Sequence, residues 1–300
     1  MKSKLTGFIQ LTRFKEYVYF VVATTLYGIA AAGGQFNGRF VIVLVANWLS
    51  VGFTFMLNDI EDAPYDAMIE NKANRNPIAS GLISTNAGRQ AAFLVGLVSL
   101  ILYALLGWKV LIFGLLTLAV GCLYSYRGFR IQTISLLDLA SHAWLLAGPL
   151  TLTSYYTFAG HSTQKMLFPF LFVICTSLYG ELSNEYRTLE NDHPAKDHPT
   201  ILSLGVKATH ILIIVLLTVG IISGGITFFI QRIIPLWVLA SLMVFFAILI
   251  LPSIIKLSHS QSPLELHPLH PPFYKPLEKA AAIALLMYYL APIFLRLFNY

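Results

Sequence analysis

Charge is what this sequence has least of: Asp, Glu, Lys and Arg make up 11% of its 300 residues, while 57% are hydrophobic. A soluble domain carries about 25% charged residues, and a chain this poor in charge would expose large apolar patches in water. Cysteine is nearly absent. Cys122 and Cys175 both lie in apolar runs, so neither a disulfide framework nor a cysteine metal site is implied. The apolar runs lack the strict alternation of membrane-barrel strands. The N-terminal stretch lacks a small-residue cleavage site before its first long apolar run, so it does not read as a signal peptide. The formal charge of +6 is spread over short loops and forms no basic patch, which argues against a nucleic-acid partner.

What is present is a series of apolar segments. They fall at about 17–34, 40–57, 88–107, 109–126, 136–158, 166–183, 208–230, 233–255 and 279–298. Each is near the roughly 20 residues a helix needs to cross a bilayer. The expected fold is an all-α integral membrane protein, nine transmembrane helices in a single bundle with a central cavity opening to the cytoplasmic side. With the N-terminus inside, fifteen Lys and Arg residues fall on the cytoplasmic side and five on the other: Arg39, Lys109, Lys165, Arg232 and Arg296. That bias sets the orientation. All fourteen acids also fall on or near the cytoplasmic side. The expected location is the cell membrane, multi-pass, with the polar chemistry in the cytoplasmic loops.

Five acids, Asp59, Glu61, Asp62, Asp66 and Glu70, crowd into the stretch that follows the second apolar run. On a helix Asn58, Asp62 and Asp66 are spaced i, i+4, i+8 and share a face. Pro64 is expected to bend or end that helix. Oxygen ligands on one stripe suit a hard cation such as Mg²⁺, which is held by one or two carboxylates plus substrate phosphates. Lys72 and Arg75 come next, and cations beside a carboxylate cluster suit a metal-bridged diphosphate. A second acidic group follows the sixth run: Glu181 and Glu185 at i, i+4, Asn184 beside them, then Arg187, Glu190, Asp192, Lys196 and Asp197. Ligands from two distant places are what two metal ions holding one diphosphate require. The acid-rich loops lie four helices apart, which suggests a four-helix pseudo-repeat, about 17–126 and 136–255, plus a ninth helix at 279–298. Asp138 and His142, at i, i+4, read either as a proton-accepting pair or as an ordinary helix start with a hydrogen-bonded histidine.

These residues resemble the UbiA-type intramembrane prenyltransferases. "NDIEDAPYD" fits the signature N-D-x-x-D-x-x-x-D, and "NKANRNPIASGLIS" is similar to its continuation. "LYSYRGFR" resembles the family's Y-S-x-P-P-x-R segment. "NEYRTLENDHPAKDHPTILSLG" resembles its second signature, with Asp192 kept, Thr188 in place of the first aspartate and Lys196 in place of the usual glycine. Arg127-Gly128 stand where a Pro-Pro pair is common. The resemblance covers nearly the whole chain, residues 1–300, as a single domain.

The resemblance implies Mg²⁺-dependent transfer of a prenyl group from an allylic prenyl diphosphate to a hydrophobic aromatic or lipid acceptor within the bilayer, a step of isoprenoid biosynthesis. On that footing Asn58, Asp62 and Asp66 hold one metal with Asp59 in support. Glu185 and Asp192 serve the other, helped by Asn184 and Glu181. Lys72, Arg75, Arg130 and Arg187 hold phosphate oxygens. Aromatic faces stabilise cations, and Tyr124, through its Y-S match, is the catalytic candidate beside Asp62, Asp66 and Asp192. Three alternatives stay open: a transferase of the same superfamily with a phosphoribosyl or other diphosphate donor, a catalytically silent relative, and a divalent-cation transporter. A transporter needs ionisable groups through the membrane's depth, and the helix interiors here hold almost none.

Overall fold

The computed structural model describes residues 4–126, 131, 134–159, 163, 165–191, 199–258 and 271–298, and almost all of them are helical. The chain begins with a short helix, α1 (Lys4–Leu11), then runs through α2 (Phe14–Ala31) and the long α3 (Gly38–Asp66). A short α4 (Glu70–Arg75) leads to the hairpin α5 (Thr85–Leu106) and α6 (Trp108–Ser125). Next come α7 (Ser135–Leu146), α8 (Gly148–Ala159) and α9 (Leu167–Asn191). The remainder is α10 (Pro199–Leu204), α11 (Val206–Gly225) with a π-turn at Ile226–Ile230, α12 (Leu236–Ser258) and α13 (Pro271–Phe298).

Every apolar run of the sequence lies on a described helix, because only a helix satisfies its own backbone in lipid. Among the described residues, five helical stretches are long and apolar enough to cross a bilayer: Gly38–Asp66, Thr85–Leu106, Trp108–Ser125, Val206–Ile230 and Lys275–Ile293. Leu167–Leu182 and Leu236–Pro252 are shorter apolar helices. The fifth run is broken: α7 ends at Leu146 and α8 starts at Gly148. Pro149 sits in the first turn of α8, where its missing N–H does no harm. The helices carry exposed apolar side chains such as Phe93, Leu105, Ile211, Ile221 and Ile248, which face lipid rather than water.

Ends and crossings follow from local chemistry. Asn37 caps α3 by accepting from the Phe40 N–H at 3.2 Å, and Ser84 caps α5 through the Ala87 N–H at 3.3 Å. The α5–α6 hairpin turns on Gly107 alone, at φ 129°, a conformation few side chains tolerate. Helix α2 lies against α8 at Gly28, where a Cβ would meet the Thr151 carbonyl at 2.6 Å. The largest core cluster joins α2, α3, α5, α12 and α13 through Leu26, Val43, Tyr103, Val238 and Tyr289.

One polar knot holds the middle of the bundle. Asn47 on α3 is wholly buried. Its amide donates to Thr25 Oγ1 (2.8 Å), Ser154 Oγ (3.1 Å) and the Leu150 carbonyl (3.3 Å). Its Oδ1 lies 2.9 Å from both the Tyr103 and the Thr153 hydroxyls. Four helices, α2, α3, α5 and α8, are thus tied at one residue, and the amide's donors and acceptor are satisfied.

Candidate functional site

The acidic end of α3 is the first half of the site. The helix continues through Pro64 to Asp66, so the proline withdraws a backbone donor without ending the helix there. Asn58 Nδ2 donates to Asp62 Oδ2 at 3.1 Å, as their i, i+4 spacing requires. Asp59 and Asp66, seven apart, form a second, deeper pair, exposed by only 1% and 6%. The stripe expected from the sequence thus holds an Asn58–Asp62 pair and, deeper along the same face, Asp59 and Asp66.

Asn76 joins the deeper pair. It is wholly buried, and its Nδ2 donates to Asp66 Oδ2 at 3.0 Å and to the Asp59 carbonyl at 2.7 Å. Its Oδ1 accepts from the Ile78 N–H at 2.9 Å and the Ala79 N–H at 3.3 Å. One side chain thereby pins the loop after α4 onto the acid-bearing turn. Lys72 and Arg75 ride on α4, and Arg75 faces the charges of Asp59 and Glu16.

Arg13 supplies a cation that the sequence did not single out. It stands between α1 and α2 at φ 50°. Its guanidinium reaches Asp59 Oδ1 at 3.5 Å, pairs with Glu16 and lies over the Phe55 ring at 4.6 Å. Burial disfavours the Arg13 charge, and the Glu16 and Asp59 carboxylates outweigh it, so its pKa is raised. Asp59 Oδ2 stays buried with no hydrogen-bond partner among the described residues. Gln10 on α1 donates to the Asn74 carbonyl at 3.2 Å, and to that of Arg75, so α1 clasps the α4 loop.

The second half comes from α7 and α9. Asp138, Glu181 and Glu185 offer carboxylate oxygens that lie within 4.8 Å of one another. Asp138 and Glu185 are buried, and Glu181 is half-buried. Burial pushes Glu185 up to about 7; the neighbouring Glu181 and Asp138 charges act the same way, against a hydrogen bond with Thr200 of α10. Asp138 thus belongs with the α9 acids, across 43 residues of sequence from Glu181, while the His142 side chain is outside the described residues. Three carboxylates this close repel when empty and are satisfied by a hard cation.

Tyr124, at the end of α6, stands between the halves. It shares a hydrogen bond with Asp138 and feels the charges of Glu181 on one side and Asp62 on the other. Among the expected site residues, the fold joins Asn58 with Asp62, Asp59 with Asp66 and Arg75, and Glu181 with Glu185, with Tyr124 between Asp62 and Glu181 and Lys72 on α4. Asp192 and Arg130 lie outside the described residues, as do the side chains of Asn184, Arg187 and Thr188, whose backbones are on α9. Two contributors, Arg13 and Asn76, were missed, and Asp138 was read with His142 rather than with the α9 acids. Arg13 acts across 46 residues, a contact no local pattern reveals. Asn76 had a signal, an Asn before Pro in a polar turn. Asp138 had one too, as a lone acid opening an apolar helix.

Comparison with known proteins places this architecture. Residues 21–265 match the UbiA prenyltransferase family. The digeranylgeranylglyceryl phosphate synthase of Sulfolobus acidocaldarius is 24% identical over 225 residues, which cover 74% of this chain and 78% of that protein. A solved structure from work on digeranylgeranylglyceryl phosphate synthase in membranes superposes with a TM-score of 0.70 at 16% identity, covering 96% of this chain and 99% of that one. A UbiA homolog from Archaeoglobus fulgidus bound to GPP and Mg²⁺ superposes with a TM-score of 0.66 at 17% identity, covering 95% and 98%.

Proposed function

The chain belongs to the UbiA prenyltransferase family, and on that premise we propose that its two carboxylate groups bind one Mg²⁺-bridged prenyl diphosphate and that the prenyl group passes to a hydrophobic acceptor in the bilayer. The observation that carries this reading is the place of Tyr124, hydrogen-bonded to Asp138 and within reach of the charges of both Glu181 and Asp62. The family relatives support the ligand class: the A. fulgidus homolog has been solved with GPP and Mg²⁺ and with DMAPP and Mg²⁺.

The donor set fits the metal. Asn58 and Asp62 hold one ion, with Asp66 and the unpartnered Oδ2 of Asp59 at hand. Glu181 and Glu185 hold the other with Asp192, and Asp138 supplies the carboxylate that Thr188 withholds from the second signature. Mg²⁺ bound there neutralises the charge that grows on the departing diphosphate.

The chain's own residues do the rest. Lys72 and Arg75 on α4, with Arg130, Arg187 and Asn184, grip phosphate oxygens. The carbon–oxygen bond to diphosphate breaks, a bond to the acceptor forms, and the acceptor gives up a proton. The Tyr124 ring faces the electron-poor prenyl carbon, and the helices exclude the water that would quench it. The bundle acts as nine spans around a central cavity that opens at the cytoplasmic face of the cell membrane. Basic residues crowd that side. The pairing of α3 with α5 and of α9 with α11 supports the reading of residues 17–126 and 136–255 as a repeat.

The test is Mg²⁺-dependent release of diphosphate from farnesyl or geranylgeranyl diphosphate in membranes holding the protein. Asp62→Ala and Asp66→Ala are each expected to lower it more than about 100-fold. Unchanged turnover in both would end the assignment.

A further inference from the structure

Helix α1 presents a different chemistry on each of its sides. Gly7 and Leu11 are buried. A Cβ at Gly7 would meet Ile83 at 2.9 Å, and Leu11 lies in one cluster with Met56 and Ile60 of α3. This side holds α1 to the cytoplasmic ends of α3 and α5. Thr6 and Gln10, at i and i+4, share a second side. Gln10 donates to the Asn74 carbonyl at 3.2 Å and to that of Arg75, so the second side faces the α4 loop. Away from it lie Phe8, partly buried on the same cluster, and Leu5 and Ile9, again at i and i+4. Leu5 and Ile9 are 70% and 60% exposed, with no protein against them.

The chain fixes the level at which α1 lies. Only Thr12 and Arg13 separate it from α2, whose Phe14 and Tyr19 are exposed where that helix enters the bilayer. The apolar side of α1 therefore continues a surface that already meets lipid. A helix that lies in the membrane interface turns its polar side to water and sinks its apolar side to the acyl boundary. Gln10 points at the polar α4 loop, so the side bearing Phe8, Leu5 and Ile9 is the one turned to the bilayer. Exposed Lys4 reaches the lipid phosphates from the same helix. The other end of α1 reaches the site. Helix α4 is six residues long and buries none of them, so it depends on contacts such as the Gln10 clasp. Arg13, just past the end of α1, lies 3.5 Å from Asp59 Oδ1.

We propose that α1 is a lipid-seated clasp: Leu5 and Ile9 enter the headgroup–acyl boundary of the cytoplasmic leaflet, and this seating lets Gln10 fix the α4 loop. The partner of the exposed face is the bilayer surface itself. Gln10 is then a positioning residue for Lys72 and Arg75. What the clasp serves, donor binding, rests on the transferase reading above; the seating and the hold on α4 do not.

The experiment uses the full chain in nanodiscs of dioleoylphosphatidylcholine. Cys122 is exposed and Cys175 buried, so Cys122→Ser clears the background for a nitroxide label at Ile9→Cys or Thr6→Cys. Electron paramagnetic resonance compares access to oxygen, which concentrates in lipid, with access to a water-soluble nickel chelate. The Ile9→Cys label is expected to favour oxygen at least about fivefold, and the Thr6→Cys label to favour nickel. Nickel access at both positions, or an Ile9→Cys label shielded from both reagents by a second protein surface, would overturn the seating. Hydrogen exchange reads the hold on α4. Ile9→Asp and Gln10→Ala are each expected to speed exchange of the α4 amides at least about tenfold, and Ile9→Phe by less than about twofold. Merely destabilised variants would speed α3 and α5 as well, so speeding everywhere, or no speeding in either variant, would overturn the clasp. Mg²⁺-dependent binding of geranyl diphosphate to the same samples keeps the two readings apart. Both variants are expected to weaken it at least about fivefold. No binding by the wild type would end the transferase reading and leave the clasp to the label and exchange results. Binding that both variants leave unaltered while α4 loosens would keep the transferase and remove Gln10 as a positioning residue.

Discussion

Arg13 and Asn76 illustrate how much of this site depends on residues that bear no acid. Asp59 is buried beside Arg13, and removing one partner of a buried pair leaves the other charge unpaired. Arg13→Ala is expected to destabilise the protein by about 3 kcal/mol, and Asp59→Asn in the same chain to restore part of the loss. Thermal unfolding of the two singles and the double measures it, and simple additivity would show that the pair is not coupled. Glu185 makes a prediction about pH. Its carboxyl titrates near 7, above its ordinary value of 4.5, because burial and the Glu181 and Asp138 charges disfavour ionisation. A proton on Glu185 competes with a metal, so Mg²⁺ affinity is expected to fall as pH drops from 8 through about 7 to 6. Without metal the sign reverses for stability. The ionised form is the disfavoured one, so the apo protein loses stability as pH rises from 4.5 toward 7. Glu185→Gln should flatten the Mg²⁺ profile between pH 6 and pH 8 and the apo-stability profile between pH 4.5 and about 7, and an unaltered Mg²⁺ profile would remove Glu185 from the metal site.

At the scale of elements, the long helices were legible and the short ones were not. An apolar run of about 20 residues has one solution in lipid, so α3, α5, α6, α11 and α13 follow from hydropathy. The break between α7 and α8 had a visible cause in Gly148-Pro149. Helices α1, α4 and α10 are 8, 6 and 6 residues long. Helices that short are not stable alone, and they form because tertiary contacts hold them, as Gln10 and Asn76 hold α4. The Asn47 knot was equally hidden, since its partners come from three other helices. Asn47→Ala removes five polar contacts. At roughly 0.6 kcal/mol each in a membrane protein, the expected loss is about 3 kcal/mol. Unfolding in mixed micelles checks it, and a change below about 0.5 kcal/mol would mean the knot is not what joins α2, α3, α5 and α8.

For the molecule as a whole, the sequence placed the chemistry at one end of the bundle but could not assemble it. The first acid group reads out locally, because Asn58 and Asp62 are one helical turn apart. The second does not, because Asp138 reaches Glu181 and Glu185 only when α7 packs on α9. Thr188 stands where the second signature has an aspartate, and the fold brings Asp138 of another helix to Glu181 and Glu185. Thr188→Asp is accordingly expected to leave diphosphate release intact or to raise it, and loss of release would give Thr188 a role of its own. The central claim is that two carboxylate groups share one diphosphate. Electron paramagnetic resonance of Mn²⁺ titrated into the full chain with geranyl diphosphate tests it most directly. The expected result is about two ions per chain in the wild type, and about one in Asp62→Asn and in Asp138→Asn/Glu181→Gln, each variant losing a different ion. A single ion in the wild type, or two that survive in both variants, would contradict the shared site.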